Sequence, residues 1–402
     1  MKHDDNDAPT TMPLPADVAP AQMARTIDPW IAGAAIFLVA VGIVLVYSAS
    51  AFRAQSQTGD ASLYLVRHLS SVAVGVVALF VVLRCPIEWW SRAAYPLLIL
   101  SAALLCLLFV PGLGREVNGA TRWLRLGPVS FQPGELAKLA IVVYLAHSLA
   151  KKRDKASTFS IGFLPHVIVT SFIVALIIVQ PDIGTSAVIY ATLGLMLFVA
   201  GTRIGYLVLA IVAALPVLYS YVATHKHAWS RLVAFLEPEA HKQGAGYQVW
   251  ESIVSFGSGG AWGLGLGAGK QKLYFLPESH TDFIFAVIGQ ELGLLGVVLV
   301  IGAFAIVIGR GMWIASKLPC RFPMFLAFGV SSWLALQAAV NMAVVMALVP
   351  TKGLTLPFVS YGRSSMIISM IALGVLLRAT SEARQTVGVR PKVVLRRRRA
   401  RA

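Results

Sequence analysis

Ten stretches of this chain are apolar over nearly their whole length: 31–50, 68–84, 94–111, 134–150, 162–180, 184–200, 205–223, 283–309, 323–348 and 362–380. Each is close to the roughly 17–25 residues that a helix needs to cross a bilayer, although two are short for a full crossing. Backbone polar groups in hydrocarbon must be satisfied within the segment, so such runs are helices. Hydrophobic residues make up 57% of the 402 and charged residues only 13%, where soluble domains carry about 25% charge. No single soluble core hides that much apolar surface. The expected fold is an all-α polytopic membrane protein of about ten transmembrane helices.

Charge sets the orientation. The net charge of +16 could suggest nucleic acid, but the basic residues punctuate the apolar runs and close the chain at Arg396–Arg399 and Arg401. With the N-terminus inside, Arg84, Arg92, Lys151, Lys152, Arg153, Lys155, Arg203, Arg310, Lys317, Arg321 and the arginine-rich end all fall on the cytoplasmic side, as the positive-inside bias requires. An even number of spans places both termini there. Residues 1–30 are polar, with five prolines and Asp4, Asp5 and Asp7. They read as a disordered cytoplasmic tail rather than a signal peptide. Residues 31–380 form the membrane domain, with a large outer loop at 224–282 between helices 7 and 8, and 381–402 form a basic cytoplasmic tail. Cys85, Cys106 and Cys320 have no paired spacing and no histidine cluster, so free thiols and no zinc site are expected.

Basic residues on the outer side are the exception to be explained. Arg115, Arg122, Arg125, Lys226, Arg231, Lys242, Lys270, Lys272, Lys352 and Arg363 lie in loops 112–133, 224–282 and 349–363. They serve salt bridges and headgroups, or some of them line a site for an anionic, phosphorylated substrate. Gly257–Lys272 resembles a nucleotide loop superficially. Leu264, however, stands where the first glycine of that motif is required, and Gln271 replaces its Ser or Thr, so no nucleotide chemistry is expected.

Three further constellations carry two readings each. In LPESHTDFIFAVIGQELG, Ser279 or Thr281 caps a helix and Asp282 complements its dipole; alternatively Asp282, partly desolvated at the membrane boundary, is a general base. Glu291, deeper on that helix, faces the bundle interior or a partner. In NGATRWLRLGPVSFQPGELAKL, Glu135 and Lys138 share a helix face. They form a structural ion pair, or Lys138 with Arg122 holds a phosphate. QPDIGTS and VPTKGLTLPFVSYGRSS each join two apolar helices. Asp182 reads as an N-cap, whereas Lys352, Ser360, Tyr361 and Arg363 are more crowded than a simple connector needs.

Together with VYSAS in the first span and GYQ at Gly246–Gln248, these segments in this order resemble the SEDS family, the shape, elongation, division and sporulation proteins, over about Asp28–Arg384. PTKGLTLPF and the polar N-terminal extension are similar to the division branch, with the elongation branch second. The resemblance implies about ten helices and polymerisation of lipid II in bacterial cell division, on the outer face of the cytoplasmic (inner) membrane at the septum. It also implies a class B penicillin-binding protein as transpeptidase partner, beside other division proteins. Asp282 matches the family's essential aspartate, Glu135 and Lys138 its charged pair, and Lys352 the lysine of its PTKG turn. Arg122, His280 and Ser360 complete the expected substrate-binding set. Gly134, Gln290 and Arg363 depart from the family pattern, and Arg363 places a bulky cation beside the expected cavity.

The chemistry agrees with that resemblance. A lipid pyrophosphate leaves without a proton, so one base for the acceptor hydroxyl and cations for the pyrophosphate suffice, where glycosidases need two carboxylates. The expected outcome is inversion, with undecaprenyl pyrophosphate released. No cofactor is required, although a divalent cation (Mg or Mn) could share the neutralisation. The competing expectations are a lipid II flippase and a non-catalytic scaffold of the division machinery.

Overall fold

The structure, a computed structural model, describes residues 27–388 apart from 118–119, 128, 153–154, 238, 242–243, 245 and 270–277. Most of both expected tails, and Lys242, Lys270 and Lys272, lie outside the described residues.

Local chemistry starts the first helix where the apolar run begins. Asp28 accepts hydrogen bonds from the N–H groups of Trp30 and Ile31 at 3.1 and 3.2 Å, and Pro29 occupies the first turn. Helix α1, Pro29–Thr58, then runs 30 residues to Gly59, whose left-handed φ of 76° ends it. At 1.5 Å per residue it is about 45 Å long, so part of it projects beyond a hydrocarbon layer of about 30 Å. Next come α2 (Leu63–Arg84) and α3 (Ile87–Leu107), then a small sheet and α4 (Pro133–Lys151). They are followed by α5 (Leu164–Ile178), α6 (Ile183–Val199), α7 (Ile204–Thr224), α8 (Lys226–Leu236) and α9 (Tyr247–Gly259). The chain ends in three long helices, α10 (Ile284–Lys317), α11 (Arg321–Val345) and α12 (Arg363–Gly388).

Among the described residues, eight helical segments are long and apolar enough to cross a membrane: α1, α2, α3, α5 with its preceding turn, α7, α10, α11 and α12. Helices α4 and α6 form where expected, but α6 has 17 residues and α4 carries Glu135 and Lys138. Position explains the charges. Helix α4 packs against α3, α6 and α11 and is buried on nearly every side, whereas α7 has no buried residue and meets the bundle mainly near its start, where Tyr206 packs against Phe159 and Phe163.

The departure from an all-helical architecture is in the 112–133 loop. Strands β1 (Gly114–Val117), β2 (Ala120–Leu126) and β3 (Val129–Phe131) form an antiparallel sheet in the order β1-β2-β3, with Leu124 opposite both Gly114 and Phe131. Alternation along β2 produces it: Leu124 is buried, Arg125 is exposed, and Arg122 shares Leu124's face.

The glycine-rich stretch is explained by a break in α10. Gly293 leaves the helix at φ 63°, ψ −163°, which frees carbonyls that cannot stay unpaired inside a bundle. The N–H groups of Leu264 and Gly265 donate to the carbonyls of Gln290 and Glu291, both at 3.0 Å. The Glu291 carboxylate accepts from Ser48 Oγ at 2.9 Å and from the Gly267 N–H at 3.2 Å, tying α1 to the loop. Gly263 has φ 81°, and a Cβ there would collide with the Glu291 carbonyl. Gly263→Ala is therefore expected to destabilise the protein by about 1–3 kcal/mol from strain alone. Gly257→Ala, in α9 with open space around it, should be neutral; thermal unfolding in detergent checks the pair.

Candidate active site

Four segments far apart in sequence meet at one end of the bundle. They are the β2 strand, the Gln180–Asp182 turn before α6, the Glu278–Phe283 turn before α10 and the Thr351–Leu356 loop before α12. Asp282 lies in the third of these, reached by a chain that turns at Glu278, whose left-handed φ is 56°. Its carboxylate rests against Gly353: a Cβ on that glycine would stand 3.0 Å from Asp282 Oδ2. Arg122 reaches from β2 to the second turn, donating from Nε to the Gln180 carbonyl at 3.1 Å and from Nη2 to the Pro181 carbonyl. Asp182 caps α6, accepting from the Thr185 N–H at 3.1 Å and from its hydroxyl at 2.9 Å, so the N-cap reading of this residue is borne out.

The charges act on one another across this recess. Asp282 is only partly accessible, and burial pushes its carboxyl up to about 7; Glu278 adds to the rise, Arg122 and Arg231 oppose it, and Asp182 adds to it again. Lys352 is pulled down to about 8, first by burial and then by Arg231 and Arg122, with Asp182 opposing. Arg231, on α8, thus belongs to the same electrostatic cluster. The recess holds Asp282, poised near neutrality, with the carboxylates of Asp182 and Glu278 and the cations Arg122, Arg231 and Lys352, which suits proton abstraction next to a developing polyanion. Among the described residues no three His, Cys, Asp or Glu side chains gather to hold a metal ion.

The other candidates are not among the groups that act on Asp282 and Lys352. His280 is buried against Tyr64 and Tyr361, with ring centroids 5.0 and 5.5 Å away, and burial holds its imidazole down to about 4 and hence neutral. The Ser360 hydroxyl accepts from the Leu356 N–H at 2.8 Å and shapes the loop. Arg363 opens α12, half-buried. Glu135 and Lys138 are 3% and 2% exposed and pair at 2.9 Å, and Lys138 also donates to Gln337 Oε1 at 2.6 Å and lies over the Trp333 ring. Gln337 Nε2 in turn donates to the Thr355 carbonyl at 3.0 Å. The pair is therefore inside the bundle, connected to the loop through one glutamine.

Three contributors were not singled out from the sequence: Gly353, and the amides Gln337 and Asn341 on α11. A sign of the amides was present, since polar residues four apart inside the apolar run WLALQAAVNMAVV face one side of a spanning helix. Nothing local marks Gly353. Because its α-hydrogen is what leaves room for the carboxylate, Gly353→Ala is expected to lower activity at least about tenfold through displacement of Asp282. A melting temperature equal to wild type should accompany the loss.

Known proteins resemble this chain over most of its length. The family model for cell cycle proteins of the FtsW/RodA/SpoVE type matches residues 30–385. A probable peptidoglycan glycosyltransferase FtsW of Trichlorobacter lovleyi is 44% identical over 346 residues, covering 86% of this chain and 91% of that one. Another, of Legionella pneumophila, is 38% identical over 371 residues, covering 90% and 93%. Among solved structures, a chain described under structural coordination of polymerization and crosslinking by a peptidoglycan synthase complex superposes with a TM-score of 0.75. It is 27% identical and covers 90% of this chain and 99% of its own. The rod shape determining protein RodA of Thermus thermophilus gives 0.65 at 27% identity, covering 88% and 97%. With the family model spanning nearly the whole chain and relatives above 30% identity over most of it, this protein belongs to the FtsW/RodA/SpoVE family of cell cycle proteins.

Proposed function

We propose that this chain is a peptidoglycan glycosyltransferase that polymerises lipid II during bacterial cell division, as the relatives named FtsW suggest. The observation that carries the mechanism is the Asp282 carboxylate, lodged against Gly353 within electrostatic reach of Arg122 and Arg231, two cations that also act on Lys352. Asp282 accepts the proton of the acceptor sugar's 4-hydroxyl as that oxygen attacks the anomeric carbon of the donor. The bond to the pyrophosphate oxygen breaks on the opposite face, giving inversion from an α-linked donor to a β-1,4 strand. Arg122, Arg231 and Lys352 receive the charge that develops on the leaving undecaprenyl pyrophosphate. A Mg or Mn ion arriving with the pyrophosphate would add to the same neutralisation.

Helices α4 and α6 complete ten crossings in this reading, both termini are cytoplasmic and the recess opens to the outer face of the inner membrane, at the septum. The solved peptidoglycan synthase complex, in which polymerization and crosslinking are coordinated, supports a class B penicillin-binding transpeptidase as partner. A flippase would share the buried ion pair but has no use for a base in this recess, and a scaffold would need neither. The deciding experiment is glycan-strand formation from purified lipid II by the full chain with its transpeptidase partner, the latter acylated by a β-lactam. Polymer from wild type is expected. Lipid II movement across vesicles without polymer would favour the flippase, and neither activity would favour the scaffold.

A further inference from the structure

Helix α11 presents two amide side chains one turn apart to the loop that borders Asp282. Gln337 Nε2 donates to the Thr355 carbonyl, and Asn341 Nδ2 donates to the Leu354 carbonyl at 2.5 Å, so consecutive carbonyls of the loop are held by consecutive turns of one helix. Asn341 does more. Its Nδ2 also donates to the main-chain carbonyl of Asp282 at 2.8 Å. An amide nitrogen has two hydrogens, and here one goes to each of two segments that approach only through folding.

The orientation of this amide is unambiguous. Both neighbours of Nδ2 are carbonyl oxygens, which only a donor can face, while Oδ1 is buried and meets no hydrogen-bond partner among the described residues. The side chain is 1% exposed, too deep to touch a substrate. Gln337 is oriented from the other side: its Oε1 accepts from Lys138 Nζ and from the Trp333 indole at 2.9 Å, which leaves its NH₂ group for the loop.

We infer that Asn341 is a positioning residue for glycosyl transfer: it bolts the Asp282 segment to the Gly353–Leu354 segment and so fixes where the carboxylate lies against Gly353. The inference rests on the polymerase reading above. Without the bolt two buried carbonyls lose their donor and the two segments separate. The carboxylate then shifts away from Gly353 and toward water. A misplacement on the order of 1 Å lowers the rate about 100-fold while substrate affinity, set by the cations, is kept.

The test uses the full chain with its β-lactam-acylated transpeptidase partner and lipid II, comparing wild type, Asn341→Leu, Asn341→Ser, Asn341→Gln and Asp282→Asn. For Asn341→Leu, kcat is expected to fall about 10–100-fold with KM unchanged. The acid limb of its pH profile is expected below that of wild type, because a carboxyl more open to water loses the burial that raises it. That limb also reflects Glu278 from the same turn, Arg122 from β2, Asp182 from the cap of α6 and Arg231 from α8. All four are left in place by the substitution. Asn341→Gln, which keeps both donors, should recover more activity than Asn341→Leu. If Asn341→Leu does not fold, Asn341→Ser, which retains one donor, takes the same measurements. Wild-type kcat and an unmoved acid limb, alongside a lowered melting temperature, would reduce Asn341 to a structural role and overturn the inference. Failure of the polymerase reading is seen separately, as no polymer from wild type or full polymer from Asp282→Asn.

Discussion

Asp282→Asn should leave a folded protein that no longer makes glycan strands, with polymerisation about 10²–10⁴-fold below wild type, the usual contribution of a positioned general base. The amide is nearly isosteric, so the contact with Gly353 survives and only the proton acceptor is lost. Strand formation from lipid II, followed by gel separation of the products, measures it directly; polymer at the wild-type rate would remove Asp282 from the chemistry.

The pH dependence follows from the same recess. In the proposed reaction the base must be ionised, and the Asp282 carboxyl sits at about 7, so activity is expected to rise with pH through about 7. Lys352 must be protonated to meet the pyrophosphate, and its ammonium sits at about 8, so activity declines above about 8. The profile is a narrow bell, and Asp282→Glu or Lys352→Arg should shift one limb each. Stability runs the other way. A carboxyl raised by folding contributes stability that is fully present below its unfolded value, near 3.8, and is lost as pH rises through about 7. Asp282→Asn is therefore expected to melt higher than wild type at pH 8 and to converge with it near pH 3. That combination, inactive yet more stable, is the mark of a site where function is kept at the expense of stability.

The second large effect lies one layer deeper. Lys138→Met should destabilise the protein by about 3–5 kcal/mol, because it strands the Glu135 carboxylate inside the bundle without its counter-charge. Among the described residues Glu135 Oε2 is buried without a hydrogen-bond partner, so no second donor replaces Lys138. The double variant Glu135→Gln with Lys138→Met removes both charges, and it is expected to regain membrane level and melting temperature and to keep most of its polymerisation. Level and melting temperature come from detergent extracts, activity from the lipid II reaction. A well-folded double variant without activity would instead give Lys138 a part in handling the substrate.

Much of this protein can be read without its structure. The apolar runs place the helices, because membrane length and the need to satisfy every backbone group leave one local solution. Asp28 with Pro29 and Gly59 at the two ends of α1, and Asp182 before α6, are capping chemistry written in adjacent residues. The order of the motifs points to Asp282 and to the PTKG loop. The strands of the 112–133 loop were a different matter: they are short, and their pairing rather than their composition makes them a sheet.

What only the tertiary structure decided is who faces whom. Arg122 turns inward and Arg125 outward because β2 alternates against its neighbours. Glu135 and Lys138, legible as a pair, lie inside the bundle because α4 is its central helix. Gly353 matters because a carboxylate 71 residues earlier in the chain lies against it, and Asn341 because two carbonyls from distant segments converge on its amide. Local sequence specifies periodicity, caps and preference for lipid, all of which act over a few residues. Convergence of separate loops is set by how long helices pack across the whole bundle, and no short stretch of sequence encodes it.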